Sequence, residues 1–123
     1  MDAILRREHL ETGENLNTKI DYVVALSATA SDEYQVDIRY IPDLSILKPD
    51  SLKTYLAHLG TMDWMTLEAL GHTILNDLNN EVIPRWVQVT VVGKSASLAH
   101  RVTFEDRQPR WNNPALLSRM SSI

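Results

Sequence analysis

The sequence predicts an α+β fold, a four-stranded antiparallel sheet with two helices on one face, in the order β-β-α-α-β-β. Three observations carry that expectation. The segment YQVDIRYI alternates strictly: Tyr34, Val36, Ile38 and Tyr40 share one face, and Gln35, Asp37 and Arg39 share the other. Between Asp50 and Val82 the apolar residues instead recur every three to four positions. After Pro84 the chain returns to β-branched runs, RWVQVTVVG and SLAHRVTF.

Residues 1–17 are polar and read as an arm or a short helix. KIDYVVALSAT predicts the first strand at about residues 19–28, and ASDE a turn into the alternating second strand. Pro42 ends that strand and DLSILKP forms a loop. Asp50 or Ser51 caps a helix whose apolar stripe is Leu52, Tyr55, Leu56 and Leu59, with Gly60 at its C-terminal cap. Thr61 or Asp63 caps a second helix, striped by Leu67, Leu70, Ile74, Leu75, Leu78 and Val82 and stopped by Pro84. Gly93, Lys94 and Ser95 turn the last two strands into a hairpin. One domain spans residues 18–104, and the tail 105–123 is irregular or ordered only against a partner subunit.

Composition narrows the function. A net charge of −4 gives no electrostatic reason to expect a nucleic-acid backbone as partner. The chain has no cysteine, and its histidines (His9, His58, His72, His100) form no H-x-H pair, so no metal is expected. The opening MDAILRREHLETGENLN lacks the apolar core of a signal peptide, and no run approaches the roughly 20 apolar residues of a membrane span. A soluble cytoplasmic protein without membrane contact is expected. A small sheet covered on one face leaves open edges, and pairing them between copies would close a barrel. The expectation is a symmetric homo-oligomer assembled through sheet edges.

Four short words recur in order: Y-I-P-D at Tyr40 to Asp43, S-L-K-x-Y-L at Ser51 to Leu56, N-D-L at Asn76 to Leu78, and P-R-W at Pro84 to Trp86. With the element order, they resemble the tunnelling fold (T-fold) and, within it, the NADPH-dependent 7-cyano-7-deazaguanine (preQ0) reductase family, the nitrile reductases of queuosine biosynthesis. The resemblance runs from about residue 20 to residue 92. It implies a cysteine thiolate that attacks the nitrile, an aspartate proton donor, a glutamate that holds the purine-like ring, and an E-S-K-S-x-K segment for NADPH. On this chain the nucleophile falls in ALSATASDEY, where Ser27 is the nearest hydroxyl. The proton donor falls on Asp32 and the glutamate on Glu68, preceded by Leu67 where the family usually has histidine. The cofactor segment becomes KPDSLK: Ser51 and Lys53 match, while Lys48 and Asp50 replace the leading glutamate and first lysine.

Read by their own chemistry, most of the candidate residues keep more than one reading. Glu68 sits about 70° from the centre of the apolar stripe, where a carboxylate can accept two N–H groups of a guanine-like edge, or be solvated. His72, one turn on, orients that carboxylate, touches ligand, or is a surface histidine; His58 suits a helix C-terminus. Asp32 is a proton carrier or a turn aspartate. Ser27 attacks, or hydrogen-bonds ligand; an attacking serine needs a base beside it. Lys53 and Lys48 flank a helix start and grip a phosphate, or confer solubility. Trp64 stacks on a flat ring or anchors an interface, and Trp86 belongs to the core or an interface. Two functions stay open: an enzyme of altered chemistry acting on a purine, deazapurine or pterin-like ring, and a non-catalytic binding or scaffold protein.

Overall fold

The computed structural model describes residues 3–94 and 97–120, so the turn residue Ser95 lies outside the described residues. Its elements are α1 (Ala3–Arg7), β1 (Thr12–Glu14), β2 (Val24–Ala30), β3 (Tyr34–Ile41), β4 (Ser45–Leu47), α2 (Pro49–Leu59), α3 (Leu67–Glu81), β5 (Trp86–Lys94), β6 (Ala99–Arg107) and α4 (Pro114–Arg119). The main sheet is antiparallel throughout, in the order β2-β3-β5-β6. A short β1-β4 ribbon, not expected from the sequence, lies apart from it.

The alternation in β3 does what its period requires. Val36, Ile38 and Tyr40 are buried together with Val87, Val89 and Val91 of β5. The α2 residues Leu52, Tyr55, Leu56 and Leu59 and the α3 residues Leu67, Leu70, Ile74, Leu75 and Leu78 complete one core. Each such side chain contributes about 1.5–3 kcal/mol on burial, so packing outweighs helix propensity here.

Several boundaries moved. The first strand runs Val24–Ala30, not 19–28, because residues before it are claimed by polar contacts. Asp21 accepts hydrogen bonds from Arg85 (2.8 Å), Trp111 (3.1 Å) and Asn113 (2.9 Å), and the Tyr22 hydroxyl donates to Asn15. The same contacts correct the expectation for the tail. It is held against its own chain, β6 reaches Arg107, and Asn113 caps α4 by accepting from the Leu116 N–H. The α2 N-cap is Lys48 with Pro49 in the first turn, and the α3 cap is Thr66, whose hydroxyl accepts from the Ala69 N–H at 3.0 Å. Gly60 does end α2, though with φ −65°. Its need for glycine is space: a Cβ there would lie 2.8 Å from the Ser31 backbone nitrogen.

The helices are tied by one carboxylate. Asp77 on α3 is fully buried. Arg6 donates to both its oxygens (2.5 and 2.8 Å), Arg7 donates at 2.8 Å, and the Tyr55 hydroxyl of α2 donates a short bond. Burial alone would raise the Asp77 carboxyl; the bonds from Arg6, Tyr55 and Arg7 outweigh it and hold it below the ordinary carboxylate value.

Asp77→Ala should therefore destabilise the fold by about 3–5 kcal/mol in urea denaturation, because two guanidinium groups and a buried hydroxyl lose their partner. The depressed carboxyl stabilises the fold fully above its unfolded-state value and loses that contribution as the pH falls through its folded value. Asp77→Asn should flatten that acid limb of the stability curve.

Candidate functional site

The free edge of β2 and the flank of α2 enclose a cleft of about 900 Å³. Its polar lining includes Ser27, Asp32, Gln35, Asp50 and Lys53. The hairpin register sets the chemistry. Ser27 stands opposite Asp37 on β3, its hydroxyl donates a short hydrogen bond to the Asp37 carboxylate, and it accepts from the Gln35 amide at 2.7 Å. Ser27 thus has an acceptor for its proton, a partner that spacing alone had not revealed. The cross-strand pairing of the hairpin is the signal that finds it. Asp32 lies in the turn beyond β2, and Lys53 points from the exposed side of α2. The cleft offers a phosphate one cation, Lys53, against two carboxylates, Asp32 and Asp50.

The other predicted group is on the far edge. Glu68 stands in the first turn of α3, exposed, with its Oε1 3.5 Å from His100 Nε2 on β6. His72 lies 3.5 Å from the Asn76 amide through Nδ1, and its ring meets Phe104 at 5.9 Å between centroids. Phe104 can lie against α3 because residue 71 is glycine: a Cβ there would come within 2.8 Å of the Phe104 ring. Three strand spacings separate β2 from β6, so the Ser27 and Glu68 groups are on the order of 14 Å apart across the sheet.

The remaining predicted residues serve the scaffold. Ser51 is buried, and its hydroxyl donates to the Lys48 carbonyl (2.7 Å) and accepts from the Glu11 N–H (3.0 Å), tying the N-terminal segment to α2. Lys48 is exposed at the α2 N-cap and supplies no side-chain cap. The Trp64 indole donates to the Leu59 carbonyl at 2.9 Å, satisfying the end of α2, while its ring packs on the core. Trp86 is buried, as expected for core. Among the described residues no cluster of three His, Asp or Glu side chains is placed to hold a metal ion, and no helix is long and apolar enough to cross a membrane.

No family model matches the chain. It is 31% identical over 116 residues to the NADPH-dependent 7-cyano-7-deazaguanine reductase of Syntrophus aciditrophicus (strain SB), a match covering 85% of this chain and 82% of that protein. Its fold is similar to the crystal structure of the archaeosine synthase QueF-Like in the apo form, with a TM-score of 0.55 at 18% identity, over 74% of this chain and 95% of that one. At that identity the likeness is one of fold.

The exposed members of both groups carry no packing duty. Ser27→Ala, Lys53→Ala and Glu68→Gln should each change unfolding free energy by no more than about 0.5 kcal/mol in urea titration, against the large loss at Asp77.

Proposed function

The chain belongs to the NADPH-dependent 7-cyano-7-deazaguanine reductase family, and from that premise we propose that it binds a purine, deazapurine or pterin-like ring at a junction between subunits, with chemistry other than thioimide reduction. The observation that carries the reading is the placement of its two polar groups. Ser27, Asp32 and Lys53 lie along the β2 edge; Glu68 and His72 lie beside the β6 edge. Within one copy they are too far apart to grip one small ring. Pairing β2 of one copy with β6 of the next satisfies both edges and brings Asp32 and Lys53 toward the Glu68 group, while the Ser27 side chain, paired with Asp37, lies on the sheet face turned away from the helices.

In that junction the Glu68 carboxylate accepts two N–H groups of the ring, a charge-assisted pair that fixes its orientation. Asp32 holds or accepts a proton at the turn. The Ser27 hydroxyl donates to Asp37 and accepts from the Gln35 amide, which engages it within the hairpin. A cysteine thioimide cannot form, since the chain contains no cysteine. The charge balance at Lys53 and the commitment of the Ser51 hydroxyl within the fold disfavour a phosphate-bearing cofactor in this cleft, and no hydride step is part of the reading. The same two observations favour the second reading, a non-catalytic binding or scaffold protein in which the assembly persists and turnover is absent.

A thermal-shift panel of guanine, 7-cyano-7-deazaguanine, pterins, GTP and NADPH tests the first reading. One ring compound should stabilise the protein, by about 2.7 kcal/mol at 100 times its dissociation constant. Glu68→Gln should abolish the shift. Light scattering should give a mass several times the 14.0 kDa of one chain. A monomer contradicts a site built between copies, and an oligomer without any shift favours the scaffold reading.

A further inference from the structure

His100 has no counterpart among the expected site residues, yet it is the side chain that reaches Glu68. Its position follows from register. His100 pairs with Gly93 of β5, and residues at every second position along β6 share a face, so His100, Val102 and Phe104 form one row toward α3. The row behaves as packing at two positions: Val102 and Phe104 are partly buried on the core, and both approach residue 71 of α3. At the third position it becomes polar. His100 is exposed, and its Nε2 faces the Glu68 carboxylate at 3.5 Å. His72, the histidine that sequence spacing puts beside Glu68, is engaged with Asn76 and Phe104.

Glu68 has acceptor capacity to spare. An ionised carboxylate offers about four lone-pair sites. His100 Nε2 stands 3.5 Å from Oε1 and leaves the other oxygen open to a ligand. Among the described residues Glu68 has no other side-chain ion pair or hydrogen bond. An isolated glutamate on an exposed helix turn samples several rotamers, and binding must fix one at an entropic cost.

Resting on the reading of Glu68 as the ring acceptor, we propose that His100 is a positioning residue for that recognition: its Nε2–H orients the Glu68 carboxylate at the β6 edge, so that the remaining lone pairs face the bound ring. The imidazole does this in the neutral Nε2–H tautomer or as the imidazolium. It contacts the carboxylate and not the reacting atoms.

Isothermal titration of the intact oligomer with 7-cyano-7-deazaguanine separates the outcomes. His100→Ala should weaken binding about tenfold, the loss expected when a charge-assisted hydrogen bond is removed. Its denaturation midpoint should match that of the unaltered protein, because both side chains are exposed. His100→Gln, whose side-chain amide keeps a donor at similar reach, should restore affinity to within about threefold. Glu68→Gln should lose binding. If His100→Ala binds as the unaltered protein does while Glu68→Gln fails, His100 has no role and the ring reading stands. If His100→Gln is as weak as His100→Ala, the donor role is overturned. No binding by the unaltered protein overturns both.

Discussion

The sheet has two unpaired edges, and the rest of the molecule is arranged around that constraint. Along one side of β2 and one side of β6, backbone N–H and C=O groups have no neighbouring strand among the described residues. Such edges favour association. The helices cover one face of the sheet and leave these edges open. The polar side chains of interest gather beside them: Ser27 and Asp32 by β2, with Lys53 across the cleft on α2, and Glu68 with His100 by β6. On the proposed reading, assembly and ligand binding would be two consequences of one exposed surface.

A buried network around Asp77 holds the helices that carry those groups, and a second, partly buried one ties the strand ends to the tail. Asp77 joins α1, α2 and α3 through Arg6, Arg7 and Tyr55. Arg85, just before β5, bonds Asp43 and Asp21, and Asp21 in turn holds Trp111 and Asn113 of the tail. The words that carry the family resemblance fall largely on these networks. Asp43 ends Y-I-P-D, Arg85 is central to P-R-W, and Asp77 is central to N-D-L. Tyr40 of the first word accepts the Leu47 N–H on its buried hydroxyl. The shared words therefore describe a scaffold. The departures, Ser27 and KPDSLK, fall at or beside the β2 cleft.

Much of this architecture was legible in the sequence, for a physical reason. The β3 alternation and the α3 stripe are patterns of burial, and burial is periodic in a strand or a helix. Elements fixed by distant polar contacts were not legible. Residues 19–23 look like strand, but Asp21 and Tyr22 answer to Arg85 and Asn15, and the tail is ordered by Asp21 rather than by its own pattern. Pro49 was a start signal for α2 that outweighs Asp50 and Ser51 as caps. Of the candidate site, Glu68, Asp32 and Lys53 are expectations drawn from the sequence, and the structure leaves all three exposed. Asp37 as the partner of Ser27 needed the hairpin register. His100 needed the placement of β6 against α3, which no local spacing encodes.

The central claim is that one site is built from two copies. The most direct measurement is complementation. A chain altered at the β2 edge (Asp32→Asn with Lys53→Ala) is co-expressed with a chain carrying Glu68→Gln, and binding of 7-cyano-7-deazaguanine by the purified mixed oligomer is compared with each parent. Neither parent should bind. The mixed oligomer should recover binding at those junctions where an intact β2 edge meets an intact β6 edge, about a quarter of them for random assembly in a closed ring. Mixed oligomers that bind no better than the parents would contradict a shared site and place each group's function, if any, within a single subunit.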